Sequence, residues 1–452
     1  MQIIVVGCGK VGRAIVAQLS TEDNNVTIVD VDADVVRDIS TIYDVMGVVG
    51  NGTSYATLKE AGLDVADMII AVTESDEVNL LTCVIAQQKV GCYTIARVRN
   101  PIYSEESDFL KSELHLSMTI NPEYEAAHEM LNLIRFPNAI EVDSFAHDKI
   151  DLLRFKVPEN SAYDGMTLKD AMQKISQAVL VCIAERGNDV MIPNGDFEIR
   201  RGDVLTIIIS PLEADQFFRH FGVRSRRIRS VMIVGGGEIS FYLTKMLLRN
   251  KIDVKIIERN RTRCDELNNA FPEAMICCAD GTNQEVLAEE HIDDVDAFVS
   301  CTGIDEINAM LSMYAQEHVR EKCITKINHG ALNGIIERLE LDTIVDPKNI
   351  TAQRIIQYVR ATGNSMDSNV ETLYRLMNGR VEAMEFLIRP NSKVIGISLQ
   401  EMHLKDNVLV AGIMRNEKLI IPGGQDCFEE GDAVIIVTTH LGFDDIYDII
   451  AK

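Results

Sequence analysis

The sequence predicts an α/β protein with two Rossmann-like, doubly wound parallel-sheet domains, each followed by a small α+β domain. Three observations predict it. A strand–glycine-loop–helix signature occurs twice. Each copy has its own acid at the end of the next apolar run. Each copy is followed by the same Pro…Gly-Asp tail. In the first copy Ile3-Ile4-Val5-Val6 runs into Gly7-Cys8-Gly9-Lys10-Val11-Gly12, and Asp30 closes the strand Val26-Thr27-Ile28-Val29. In the second, Val231-Met232-Ile233-Val234 runs into Gly235-Gly236-Gly237-Glu238-Ile239-Ser240, and Glu258 closes the next run. Gly7 to Gly235 and Asp30 to Glu258 both span 228 positions. One such signature is weak; two in step are much stronger.

The chemistry of one copy follows from its residue types. A buried parallel strand reads as a continuous apolar run. Gly7 permits the tight turn out of it. Gly9 lets backbone N–H groups approach a pyrophosphate at the positive end of the following helix. Gly12 lets that helix pack close to the strand. Asp30 is placed to accept ribose hydroxyls, and its charge disfavours a 2′-phosphate. The same glycines also suit a tight strand–helix turn that holds no ligand.

The repeat extends past the glycines. Gly52-Thr53 is echoed by Gly281-Thr282. The strand Met68-Ile69-Ile70-Ala71-Val72 and Thr73-x-x-Asp76-x-x-Asn79 are echoed by Ala297-Phe298-Val299-Ser300-Cys301 and Thr302-x-x-Asp305-x-x-Asn308, an offset of 229. Arg97 matches Lys326 at the same offset. Asn51 and Thr53 fit adenine or ribose contacts, or a simple turn. Asp76 and Asn79 fit a ligand or subunit contact, or a helix cap. Strand and helix patterns alternate through each unit, which is a doubly wound layout.

A smaller module follows each unit, over Ile150 to Phe221 and Val381 to Ile450. Pro193 leads to Gly202-Asp203 and an apolar strand; Pro422 leads to Gly431-Asp432 and another. Such turns into β runs predict sheet-rich modules. The basic run Arg224-Ser225-Arg226-Arg227-Ile228-Arg229 joins the halves. It reads as a solvated connector, or as a dock for an acidic surface or membrane face.

Composition excludes several classes. The 452 residues carry a formal net charge of −25, a field that opposes phosphate backbones, so no nucleic-acid partner is expected. The ten Cys include no Cys-x-x-Cys; they read as small core residues, with Cys277-Cys278 adjacent and Cys8 either a redox-sensitive thiol or a space-filler. No metal-ligand spacing occurs. No apolar run approaches a membrane span. Met1 is followed at once by a strand pattern, so no secretory leader is expected. The methionines read as core filling.

The ordered, doubled set of Gly7, Gly9, Gly12, Asp30, Gly52-Thr53, Thr73, Asp76-Glu77 and Asn79 resembles the tandem RCK/KTN domain family of Trk-type potassium-uptake subunits. The resemblance covers essentially the whole chain. It implies RCK N-terminal (Rossmann-like) domains at 1–137 and 229–360, and RCK C-terminal domains at 141–223 and 370–452. It implies a cytoplasmic regulatory subunit with no catalytic chemistry of its own, assembled as a homotetramer ring. The ring lies against the inner face of the membrane beneath a TrkH-like potassium-translocating subunit. NAD(H), ATP or ADP are its implied regulatory ligands. The candidate ligand-binding residues are Gly7, Cys8, Gly9, Lys10, Val11, Gly12, Asp30, Asn51, Gly52, Thr53, Thr73 and Arg97. Their second-half counterparts are Gly235, Gly237, Glu258, Gly281, Thr282, Thr302 and Lys326.

The two loops are not equivalent. Lys10 and Arg13 in the first become Glu238 and Phe241 in the second, and Ser240 replaces Gly12. The first site is therefore expected to bind nucleotide more tightly. Two other classes compete. An NAD-dependent dehydrogenase needs a general acid or base near the nicotinamide, and no such His or Lys recurs in both halves. A nucleotide-sensing transcription factor needs a basic recognition helix, which the acidity opposes.

Overall fold

The computed structural model describes the whole chain except residues 22–23, 101–102, 104–112, 138, 140, 146–149, 176–178, 188, 210–212, 223–226, 329–338, 340, 366–369, 377–379, 391, 417, 444 and 452. The connector residues Arg224, Ser225 and Arg226 lie outside the described residues.

The first sheet holds β1 (Gln2–Val6), β2 (Asn25–Asp30), β3 (Met46–Val49), β4 (Met68–Ala71), β5 (Tyr93–Arg97) and β6 (Met118–Ile120). Its order is β3-β2-β1-β4-β5-β6, and every pairing is parallel. The apolar run Ile3 to Val6 is buried throughout, as a central strand covered on both faces must be. The helix Lys10–Leu19 buries Val11, Gly12, Ile15, Val16 and Leu19 against it. That spacing follows the helical period, and each fully buried Ile or Leu contributes about 1.5–3 kcal/mol. The strand order reverses between β1 and β4, which opens a crevice at the strand C-termini where ligands bind in open α/β sheets.

The small module has β7 (Glu141–Phe145), β8 (Ile150–Lys156), β9 (Val179–Arg186), β10 (Asp189–Met191) and β11 (Val204–Ile209), in order β10-β9-β11-β8-β7 and antiparallel. The second half repeats both designs. Strands β12 (Ser230–Val234), β13 (Asp253–Glu258), β14 (Met275–Cys278), β15 (Ala297–Ser300), β16 (Lys322–Lys326) and β17 (Thr343–Val345) form a parallel sheet in order β14-β13-β12-β15-β16-β17. Strands β18 (Val370–Leu376), β19 (Val381–Leu387), β20 (Val408–Arg415), β21 (Lys418–Ile420) and β22 (Ala433–Thr438) form an antiparallel sheet in order β18-β19-β22-β20-β21. The fold class is thus two Rossmann-like parallel sheets, each followed by a small antiparallel module.

Like packs with like. One compact unit comprises Met1–Leu131 and Arg229–Ile356, the other Asn132–Ile228 and Gln357–Lys452. In the first unit Asn121 donates to the Tyr242 hydroxyl at 3.1 Å, and Arg354 pairs with Glu125 at 3.2 Å. In the second, Leu152, Cys182, Ile183 and Ile208 share a core with Ala411, Ile435 and Val437. The neighbouring residues Leu153, Ile207 and Ile209 point to the module's own core beside Phe155 and Phe217. This explains the unbroken Ile207-Ile208-Ile209 run: the strand is buried on both faces. The methionines depart from expectation. Met310 and Met313 are 71% and 45% exposed on the helix Asp305–His318, because helical spacing does not distinguish the core face from an outer one.

Candidate functional site

The first glycine loop leaves β1 at Gly7, whose φ of +93° suits glycine. A Cβ there would lie 2.6 Å from the Thr73 nitrogen. Gly12 is a packing residue: a Cβ would lie 2.0 Å from the Gly7 carbonyl oxygen. Gly9 differs. It is the N-cap of the helix Lys10–Leu19, with φ −63°, and a Cβ there would meet nothing within 4 Å. Its open side is the side a ligand would occupy.

Asp30 braces this loop as well as facing the crevice. Its Oδ2 accepts from the Cys8 nitrogen at 2.7 Å and its Oδ1 from the Asp32 nitrogen at 3.0 Å. Asp30→Ala should therefore lower the stability of the ligand-free protein by about 1 kcal/mol, chiefly the cost of leaving the part-buried Cys8 nitrogen unmet. Urea unfolding without nucleotide measures this; an unchanged midpoint would show that the brace is unimportant. Cys8 is 2% exposed, and burial, then the Asp30 charge, push its thiol up to about 12. It fills space and lends its backbone N–H.

Asn51 Oδ1 accepts from the Thr53 nitrogen and hydroxyl, both at 2.9 Å, closing the turn that carries Gly52. Asn79 neither caps its helix nor reaches the crevice. Its Oδ1 accepts from the Thr73 nitrogen at 2.8 Å, and its Nδ2 donates to the Arg97 carbonyl at 2.9 Å. Asp76 accepts from the Arg99 and Asn100 nitrogens, while Ser75 caps the helix. Asn308 repeats the bracing with Thr302 and Lys326. The Thr-x-x-Asp-x-x-Asn element therefore stitches adjacent strand ends together.

A cavity of about 1010 Å³ opens over the first loop. Of the candidate residues named from sequence, Gly7, Cys8, Gly9, Lys10, Val11, Asp30, Asn51, Gly52, Thr73 and Arg97 line it. Gly12 and Thr53 sit behind this surface. Arg97 is pulled below the usual arginine range, by burial first and the Arg99 charge second. Its Nε is buried without a hydrogen-bond partner among the described residues, which suits an incoming anion.

The second half also lines this cavity, through Gly237, Glu238, Ile239, Lys326, Asn328 and Lys348. Gly235, Glu258, Gly281, Thr282 and Thr302 do not. They build the second loop separately: Gly235 has φ +101°, and Glu258 accepts from the Gly236 nitrogen at 2.7 Å. Asp280, not Thr282, is the acceptor in the Gly281 turn. Lys326 donates to the Thr302 carbonyl at 2.9 Å.

Two features of the site lie outside what the local sequence pattern predicts. Glu238 is not left uncompensated in the second loop. Arg263 pairs with it at 3.0 Å, donates to the Gly236 carbonyl at 2.7 Å and lies over the Phe241 ring. Lys348 from the second half lies beside Lys10 of the first. It is pushed down to about 8, mainly by burial and then by the Lys10 ammonium, against the pull of Asp346 and Asp305. A signal existed. Lys348 follows Asp346-Pro347 as Glu123 follows Asn121-Pro122. The swap Lys10/Glu238 is thus matched by an opposite swap, Glu123/Lys348.

These features define a tandem Rossmann-type protein whose two α/β domains share one cavity. Residues 3–122 and 231–347 match the TrkA-N domain, and residues 152–222 and 383–451 match the TrkA-C domain. The chain therefore belongs to the TrkA family. It is similar to the Trk system potassium uptake protein TrkA of Halomonas elongata, 30% identical over 442 residues, spanning 96% of this chain and 95% of that protein. The Haemophilus influenzae protein of the same name is 29% identical over 445 residues, with the same coverage. Among solved structures, the GsuK channel bound to NAD shares the fold, with a TM-score of 0.62 at 14% identity; the match covers 97% of this chain and 76% of that one.

Proposed function

We propose that this protein is a cytoplasmic, nucleotide-sensing regulatory subunit of a Trk-type potassium-uptake system. It binds NAD(H) or an adenine nucleotide at the first glycine loop and controls a TrkH-like membrane partner through a tetrameric ring. The observation that carries the reading is the shared cavity. Because both nucleotide domains line it, a ligand held at Gly9 contacts both and favours one angle between them. A ligand that prefers one arrangement shifts the population toward it. A coupling of about 1–3 kcal/mol changes an equilibrium roughly 5- to 150-fold. The relatives' name supplies potassium uptake, and the GsuK likeness supplies a precedent with NAD. A net charge of −25 suits a partner whose cytoplasmic loops are rich in Lys and Arg.

The test is a thermal-shift panel with NAD, NADH, ADP and ATP on the full chain. Stabilisation by mass action ranks their affinities. A protein that ignored all four, or consumed one at an enzymatic rate, would overturn the reading.

Lys348 makes the binding pH-dependent. Its ordinary value is 10.5 and its folded value about 8. Between these values the unfolded chain holds more protons, so the ligand-free fold gains stability as pH rises through this window. A phosphate beside Lys10 and Lys348 favours both ammoniums and raises Lys348 again. Nucleotide binding near pH 9 should then take up protons. Calorimetry in buffers of different ionisation enthalpy reads this directly; zero uptake would place the phosphates away from Lys348.

A further inference from the structure

We propose that Cys264 and Cys278 are a disulfide-forming pair at the rim of the second glycine loop, oxidised by a small-molecule disulfide. Cys264 lies on the helix Arg261–Ala270 and is 5% exposed. Its thiol donates to the Glu258 carbonyl at 3.1 Å. The same oxygen accepts from the Ala279 nitrogen at 3.1 Å, and Cys278 is the register partner of Glu258 on the neighbouring strand. Both cysteines thus converge on one backbone group, and the Cys278 thiol adds to the burial that raises the Cys264 thiol. Cys278 is exposed and Cys277, on the opposite face, is not. The first half places Val36 and Val49 at the equivalent positions, so the pair is peculiar to the second half.

The chemistry balances with the reactant named. The Cys278 thiolate attacks one sulfur of the disulfide RSSR. A Cys278–S–S–R bond forms, and RS⁻ leaves and takes up a proton. Cys264 then gives up its proton and attacks the Cys278 sulfur, releasing the second RSH. Two protein thiols are oxidised and one RSSR is reduced to two RSH. The order follows from access: the exposed thiol reacts first, while burial keeps Cys264 protonated until the mixed disulfide sits beside it. Such bonds in reducing compartments are transient and redox-sensing. The bond would tie the helix that carries Arg263 to β14 and so hold Arg263 over Gly236 and Glu238.

The experiment uses the full chain with excess oxidised glutathione, followed by non-reducing peptide mass mapping and amide exchange. The expected product is a Cys264–Cys278 cross-linked peptide carrying no glutathione, with slowed exchange across residues 261–270. In Cys264→Ser, glutathione should remain on Cys278, because the resolving thiol is gone. Glutathione retained on Cys278 of the wild type, a Cys277–Cys278 product, or an unmodified Cys278 would each overturn the proposal. The wild-type map decides the matter even if the variant fails to fold.

Discussion

Gly9→Val should abolish nucleotide binding in the full-length protein while leaving the fold nearly as stable as before. The structural cost is small because Gly9 has φ −63°, which any residue adopts, and because a Cβ meets nothing within 4 Å. The Gly9 carbonyl still accepts from the Arg13 nitrogen at 2.8 Å. The remaining penalty is a poorer N-cap, about 1 kcal/mol or less. The binding cost is large. The isopropyl group fills the space where backbone N–H groups would meet a pyrophosphate. Each charge-assisted hydrogen bond is worth about 1.5–3 kcal/mol, so losing two weakens binding roughly 100-fold or more. Calorimetric titration with the tightest adenylate, beside a ligand-free melting curve, separates the two effects. Retained affinity would remove the first loop from the ligand site.

Gly237→Val is the matched control. A Cβ at Gly237 also meets nothing within 4 Å, yet Arg263 and Glu238 already occupy the second loop. A smaller loss of affinity than for Gly9→Val is expected. Full-length variants suit this comparison better than separated halves, because both nucleotide domains belong to one compact unit.

The largest stability effect is expected from Arg415→Met. Asp432 is 1% exposed. Arg415 meets it in a fork, Nε to Oδ1 at 2.9 Å and Nη2 to Oδ2 at 2.8 Å, and Nη2 also donates to the Cys427 carbonyl. The contact holds Arg415 above the usual arginine range. Removing one partner of a buried pair strands the other, at about 3–5 kcal/mol. Among the described residues, Asp432 would keep only the Glu429 nitrogen, at 2.8 Å. Urea unfolding should show the loss in full. Replacing both partners, Arg415→Met with Asp432→Leu, should recover part of it, since no charge is then left unmet. Arg186→Met should behave alike, because Arg186 grips Asp203 at 2.8 and 2.7 Å.

Much of this was legible in the chain. The glycine loops, their acids and the doubled tails gave both parallel sheets and both modules, since strand runs and turn residues are local signals. Gly7 could be assigned because its role depends on its own backbone, at a φ of +93°. Asp203 and Asp432 were legible only as turn residues. Their guanidinium partners arrive from another strand, 17 residues away, and no periodicity encodes that meeting. The bond from Asn79 to the Arg97 carbonyl was not legible for the same reason: the sheet brings Arg97 to it.

By itself the sequence determined how many nucleotide cradles are built and from which residues, because each cradle is a local strand–loop–helix event. Tertiary structure alone decided that Lys348 and Glu238 of one half line the cavity of the other, and that Arg263 returns a cation to the second loop. These are encounters between side chains distant along the chain. They depend on how two domains pack, and packing is set by the summed fit of many surfaces rather than by any one motif.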